Sequence, residues 1–284
     1  MPLSVGPQNQ VGNKLLAALP REEYERILPN LERVSFSFSE SVYESSERPK
    51  YAYFPTTSVV SLVYTMEDGA NAEMGMAGNE GMIGIALFMG GETRPNRAIV
   101  QHAGGAIRMK AHAFQEEFRR GASFQRLLLR YTQALVTQIS QKAVCNGLHH
   151  IEQRLASWLL MTHDRVGSEK LQVTQEFVSN LLGVRRQGVN LTTGSLRNKG
   201  VIVSNRGFIT ILDRTGLEAT ACECYHVIKD EYDRLLDFKN HPFTAFGIFN
   251  AALIPTFFRY MTNLFDIVTE LSDQACSLAN SLFL

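Results

Sequence analysis

The chain contains no Walker loop, no Ser/His/Asp arrangement and no paired metal-ligand motif, and the glycines between Gly78 and Gly84 are too irregular for a dinucleotide fingerprint. No catalytic residues are therefore assigned, and the chain does not read as an enzyme. Cysteine is sparse. Cys145, Cys222, Cys224 and Cys276 do not form two spaced pairs, which argues against a disulfide framework and for a reducing compartment. Cys222 and Cys224 would be half a metal site, but the sequence shows no second cluster of cysteine or histidine near them, so they read as packed thiols and no metal is expected.

The opening "MPLSVGPQNQVGNKLL" lacks the basic start and unbroken apolar core of a secretory signal. No export is expected, and the expected location is the cytoplasm. Charged residues make up 20% of the chain, too few for a disordered polymer and too many for a membrane bundle. Net charge is also missing, with 28 basic against 28 acidic side chains. That balance hides a local asymmetry: residues 145–214 carry nine basic against five acidic groups, and residues 215–284 carry four against nine. A basic module between neutral and acidic parts suits a partner made of phosphates, because attraction to phosphate is a local field effect.

What is present reads as an α+β chain in four parts. Residues 13–112 begin with a helical lead-in (Leu15, Leu16, Leu19, Tyr24, Ile27 and Leu28 on one face, Pro20 opening a second helix). They continue as short runs of valine, tyrosine, phenylalanine and isoleucine with glycine-bearing turns, Asp68-Gly69 among them, which predicts a β-roll of jelly-roll type. Residues 113–144 return to helical period. Phe114, Phe118, Phe124, Leu128, Tyr131, Leu135 and Ile139 form one long apolar stripe, which would pack against a second copy or onto the chain's own β-domain.

Residues 145–236 hold the most informative segment. An amphipathic helix carries Ile151, Leu155, Trp158 and Leu159; then "LQVTQEFVSNLLGVRRQGVNLTTGSLRNKGVI" splits into two helical patterns around Gly183. Thr174 is a suitable N-cap. The second pattern turns Val189, Thr193 and Leu196 inward and Arg185, Arg186, Gln187 and Asn190 outward. Arginine can bridge guanine O6 and N7, and glutamine or asparagine can bridge adenine N6 and N7. A plain helical hairpin with a solvated edge would show the same face, but "VIVSNRGFITIL" adds two β-branched runs joined at Ser204-Asn205-Arg206-Gly207, a wing with Arg206 at its tip. Helix, turn, helix and wing predict a winged helix-turn-helix, with Thr174, Arg197, Lys199 and Arg206 completing the DNA-facing set.

On "GNEGMIGI", "CNGLHHIEQRLASWLL" and "LLGVRRQGVN", and on the order of β-roll, long helix and winged helix, residues 13–235 resemble the family of the cyclic-AMP receptor protein and the fumarate-nitrate regulator, in a divergent branch. The resemblance implies a homodimeric regulator that binds an inverted-repeat site in double-stranded DNA through 113–144 and 145–236, with RNA polymerase a further candidate partner. It aligns Arg186 with the recognition arginine, puts Gln187 where glutamate is usual and Leu191 where many members carry a second base-reading arginine. The same resemblance places an effector pocket at Gly78, Asn79, Glu80, Gly81, Arg94 and Arg97. The glutamate comes one place late for ribose, and Asn96-Arg97-Ala98 lacks the Arg-Ser or Arg-Thr pair that would hold a cyclic phosphate. Cyclic AMP is accordingly doubtful, no cofactor is evident, and His102 is a lone histidine. A module that binds a ligand or a protein and has lost DNA binding is the alternative, suggested by Gly188, Leu191 and the acidic tail.

Residues 237–284 extend past the family pattern. Phe257, Met261, Leu264, Val268, Leu271, Ala275, Leu278 and Leu282 alternate spacings of four and three, which predicts a helix docked on the body of the protein or on a partner copy. The apolar run before it carries proline and asparagine and falls short of the roughly 20 residues needed to span a bilayer, so no membrane association is expected.

Overall fold

The computed structural model describes residues 7–90 and 95–236. Arg94 and the helix expected over Phe257–Leu282 lie outside the described residues. Two short helices, α1 (Lys14–Ala17) and α2 (Arg21–Ile27), open the chain. Asn13 is fully buried; its side-chain oxygen accepts from the amides of Leu15 and Leu16, and its amide donates to the carbonyls of Pro55 and Gly81. One side chain thus caps α1 and fastens it to the next layer. Pro20 stands at the N-cap of α2, as its fixed φ favours.

Seven strands follow: β1 (Leu31–Phe36), β2 (Ser41–Tyr43), β3 (Tyr51–Pro55), β4 (Val59–Thr65), β5 (Asn71–Ala77), β6 (Arg97–His102) and β7 (Gly104–Lys110), with the short helix α3 (Ala86–Met89) between β5 and β6. They form two antiparallel sheets of order β1-β7-β3 and β2-β6-β4-β5, the expected β-roll. Phe54, Val60, Val100 and Ile107 are completely buried among them. Asp68-Gly69 makes the β4–β5 turn, with Gly69 at φ 82°.

The single long helix expected over 113–144 is two helices, α4 (Ala111–Arg120) and α5 (Ala122–Leu148). Gly121 at φ 79°, ψ −134° occupies a conformation open essentially to glycine alone, and Ala122 follows at φ 60°. The amides of Ser123 and Phe124, among the orphan donors of the new helix, donate to the carboxylate of Glu23 on α2. Phe114 and Phe118 therefore belong to a separate element from Leu128.

α5 spans about 40 Å at the α-helical rise. The expected seam residues Phe124, Leu128, Tyr131 and Leu135 are all buried against their own chain. Phe124 meets Phe114 of α4 edge to face, and further along α5 packs on β5, where Gln138 accepts from the amide of Met76, and on the last described helix. A different face stays uncovered, with Leu129 51% and Val136 52% exposed and Val144 and Leu148 continuing along it.

After α5 come α6 (Ile151–Val166), β8 (Lys170–Gln172), α7 (Gln175–Leu182), α8 (Arg186–Asn198), β9 (Ile202–Asn205), β10 (Phe208–Ile211), α9 (Arg214–Thr220) and α10 (Cys224–Leu236). α10 runs back along α5, where the rings of Tyr131 and Tyr232 meet edge to face with centroids 6.5 Å apart. Among the described residues no helix is long and apolar enough to cross a membrane.

A candidate DNA interface and its link to the β-roll

The local folding of 174–211 follows from its caps. The Thr174 hydroxyl oxygen accepts from the amide of Phe177 to start α7, and Gly183 at φ 63° ends it. α8 begins three residues on, with Arg185 at its N-cap, and Gly200 at φ 73° closes it. Val189 and Leu196 are buried, as the sequence predicts, and so are Val178, Leu181 and Leu182 of α7, so the inward faces lock the two helices together. Gly188 packs against α6: a Cβ there would lie 3.3 Å from Ile151 Cδ1. That glycine has a packing role, which removes one reason for thinking the interface worn.

The outward face is polar and cationic. Arg185, Arg186, Gln187, Asn190, Arg197 and Lys199 are all exposed, and Arg206 stands at φ 30° on the tip of the β9–β10 hairpin beside Gly207 at φ 85°. Thr174 is half-buried. Leu191 is 70% exposed on the same face, an apolar group among hydrogen-bonding ones. The wing has a third strand absent from the sequence reading: β8 pairs with β10, giving the order β8-β10-β9.

Two of the cations are held by carboxylates. Arg186 pairs with Glu176 at 2.8 Å, both about two-thirds exposed, which makes the pair weak and easily exchanged for a phosphate or base. Lys199 pairs with Glu152 at 2.9 Å, and the Ser195 hydroxyl donates to the same carboxylate. The Ser195 hydrogen bond, with Lys199 next, holds the Glu152 carboxyl below its ordinary value.

The expected effector residues are not brought together. Glu80 accepts from Arg165 of α6 at 2.7 Å, and their side chains are only 12% and 8% exposed. Arg165 lies in turn over the ring of Tyr232. Gly78 and Gly81 are demanded by close approach: a Cβ would lie 2.8 Å from Arg165 Cβ at the first and 2.4 Å from the Tyr131 ring at the second. Arg97 is at the other end of its sheet. It stands opposite Val63 in β4, whereas Gly78 follows Ala77, opposite Val60, and Arg97 donates to Asn71 of the hairpin. Gly78–Gly81 thus meets the helical half of the molecule, where Asn79, Glu80, Asp164, Arg165, Tyr225 and Tyr232 line a cavity of about 500 Å³.

A second link, which sequence reasoning missed, is a buried polar network. Glu73 of β5 forms an ion pair with Lys142 of α5, accepts from the Ser61 hydroxyl and lies 3.4 Å from the Trp158 indole nitrogen of α6. Gln101 of β6 donates to Thr162 of α6. β-roll, long helix and α6 therefore share one set of satisfied polar groups, each buried only because it is paired. Cys145 and the half-buried His149 also come to lie beside Cys222 and Cys224, so the expectation that no second cysteine or histidine cluster lies near that pair does not hold in space.

Residues 153–220 match the family described as the Crp-like helix-turn-helix domain. Over about two thirds of the chain the fold is also similar to that of solved regulators. FixK2 from Bradyrhizobium japonicum is similar with a TM-score of 0.59 and 16% identity, over 68% of this chain and 98% of that one. A transcriptional regulator described as of the Crp/Fnr family, from Eubacterium rectale, is similar with a TM-score of 0.56 and 16% identity, over 72% of this chain and 96% of that one. This chain has the Crp/Fnr regulator fold and a Crp-like helix-turn-helix. The c-di-GMP-responsive regulator CLP of Xanthomonas campestris shares the same fold with a TM-score of 0.56 and 15% identity, over 68% of this chain and 99% of that one. No curated protein matches the chain. Within the Crp/Fnr fold, α8 is the helix that the family model covers together with α6, α7 and the wing.

Proposed function

We propose that the protein is a sequence-specific DNA-binding transcription regulator that acts as a homodimer in the cytoplasm. The observation that carries this reading is the exposed face of α8, where Arg185, Arg186, Gln187 and Asn190 project from the first turns of a helix whose opposite side is fully packed. A helix N-terminus with long donors around it suits entry into the major groove, and the wing puts Arg206 where a neighbouring phosphate would lie. Leu191 replaces a hydrogen-bonding reader with an apolar one, which suits the methyl group of thymine.

The dimer is supported by the uncovered Leu129, Val136 and Val144 face of α5, at near-heptad spacing on a helix long enough to pair with its copy. Two copies related by a twofold axis would set their α8 helices about 34 Å apart and read an inverted repeat. The β-roll would transmit its state through Glu80–Arg165 and Glu73–Lys142, the buried bonds that tie it to α5 and α6. Arg186→Ala tests the reading of α8. Discrimination at one base pair of each half-site should fall by about 1–3 kcal/mol while the salt dependence stays nearly intact. Unchanged site preference would remove α8 as the reader.

A further inference from the structure

Four soft donors converge at the foot of α5. Cys145 lies in its last turn and His149 is its C-cap, whose amide donates to the Cys145 carbonyl, while Cys222 closes the link after α9 and Cys224, beyond Glu223, opens α10. Their four ligand atoms, three sulfurs and an imidazole nitrogen, all lie within 4.8 Å of one another. Cys145 Sγ and Cys222 Sγ are 3.5 Å apart, and Cys224 Sγ is 3.4 Å from His149 Nδ1. Both separations are close to the edge of a tetrahedron drawn around an ion with bonds of about 2.3 Å to sulfur and 2.0–2.1 Å to nitrogen, roughly 3.5–3.8 Å.

The surroundings are those of a ligand set rather than of packed thiols. Glu223 Oε1 stands 3.4 Å from Nε2 of His149, on the far side of the ring from the sulfurs. A carboxylate there favours the tautomer that leaves Nδ1 free to bind a metal. Gln141 donates to Cys224 Sγ, and the Ser157 hydroxyl lies 3.2 Å from Cys222 Sγ, giving two sulfurs polar neighbours suited to thiolates. Arg154 lines the same small cavity as Cys145, Ser157 and Cys224, and its Nε is buried without a hydrogen-bond partner among the described residues. Three thiolates and a neutral imidazole around a divalent ion leave one net negative charge, which that guanidinium offsets. A disulfide would use two of the sulfurs and leave the third and the imidazole unexplained.

We propose that Cys145, His149, Cys222 and Cys224 bind one zinc ion per chain, in a closed tetrahedral Cys3His site. Soft thiolates with an imidazole select zinc over magnesium or calcium, and four protein ligands leave no open position for catalysis, so the ion is structural. It clamps the C-terminal end of α5 to the start of α10, two segments 77 residues apart along the chain.

The test uses the full chain, purified under reducing conditions without added metal. Elemental analysis should find about one zinc per chain. Cobalt added after chelation should give the visible bands of a tetrahedral ion and a thiolate-to-metal band in the near ultraviolet. Cys145→Ser and Cys224→Ser should abolish those bands, His112→Asn on the exposed surface of α4 should leave them intact, and Glu223→Gln should weaken zinc binding about 10-fold. If the cysteine variants do not fold, the wild-type zinc content and cobalt spectrum decide alone. Folded, reduced wild-type protein that takes up neither ion stoichiometrically would overturn the proposal, as would the absorption of an iron–sulfur cluster or a cobalt spectrum unchanged in the two cysteine variants.

Discussion

Glu80, on the loop after β5, and Arg165, in the last turn of α6, form an ion pair at 2.7 Å with both side chains nearly enclosed. The Arg165 guanidinium and the Gly78 amide both donate to Glu80 Oε1, Oε2 is enclosed by the fold away from any sugar hydroxyl, and Arg97, the other expected anion ligand, is turned to Asn71. Calorimetry with cyclic AMP and cyclic GMP should therefore show no micromolar binding. Heat of binding at that level would mean that the loop leaves Arg165 when a nucleotide arrives.

The same pair should matter for stability. Arg165→Ala leaves a buried, uncompensated carboxylate, which costs about 3–5 kcal/mol, whereas the double variant Arg165→Ala/Glu80→Gln should recover a large part of the loss. Urea denaturation of the two singles and the double measures the coupling. Additive losses would show that the two side chains do not act as a pair.

Gly81 and Gly147 give a contrast within one chain. A Cβ at Gly81 would lie 2.4 Å from the ring of Tyr131, whose buried hydroxyl donates to Met82, so neither side can yield cheaply. Gly147, in the last turn of α5, faces open space. Gly81→Ala should cost about 1–3 kcal/mol, and Gly147→Ala should be neutral or stabilise by up to about 1 kcal/mol. Thermal melts of both variants check the pair.

Much of the helix-turn-helix was legible in the sequence because its determinants are local. The 3.6-residue period puts Val189 and Leu196 inside and Arg186 and Asn190 outside, and Asn205-Arg206-Gly207 names its own turn. The single helix expected over 113–144 failed because the apolar stripe continues across Gly121, while the break is fixed by that glycine's backbone and by the remote carboxylate of Glu23. β8 is three residues long and exists only through pairing with β10. Glu80–Arg165 and Cys145–Cys222 join positions 85 and 77 residues apart, and no periodicity carries that information.

Glu152 provides a pH-dependent tie between α6 and the end of α8. Its folded-state pKa is depressed, by the Ser195 hydroxyl first and Lys199 second. The stabilisation is therefore present above the ordinary carboxyl range and is lost as the pH falls through the depressed folded value. Glu152→Gln should cost about 0.5–1 kcal/mol near neutrality and reduce the difference in stability between neutral and acid solution. An identical pH profile for variant and wild type would contradict this account.

The uncovered face of α5 predicts how copies associate. Leu129→Glu with Val136→Glu places charges on that face without touching the buried Leu128 and Leu135. Sedimentation should find the wild type dimeric and the double variant shifted toward monomer, with its circular dichroism preserved. A variant that remains dimeric would place the interface elsewhere.

The account's central claim is DNA reading by α8, and the most direct measurement is selection of genomic fragments by the full chain followed by titration of the enriched site against salt. The account predicts an inverted repeat whose half-site centres lie about 10 base pairs apart, bound with an affinity that falls linearly with the logarithm of salt concentration. Failure to enrich any sequence, together with binding that does not change with salt, would contradict it.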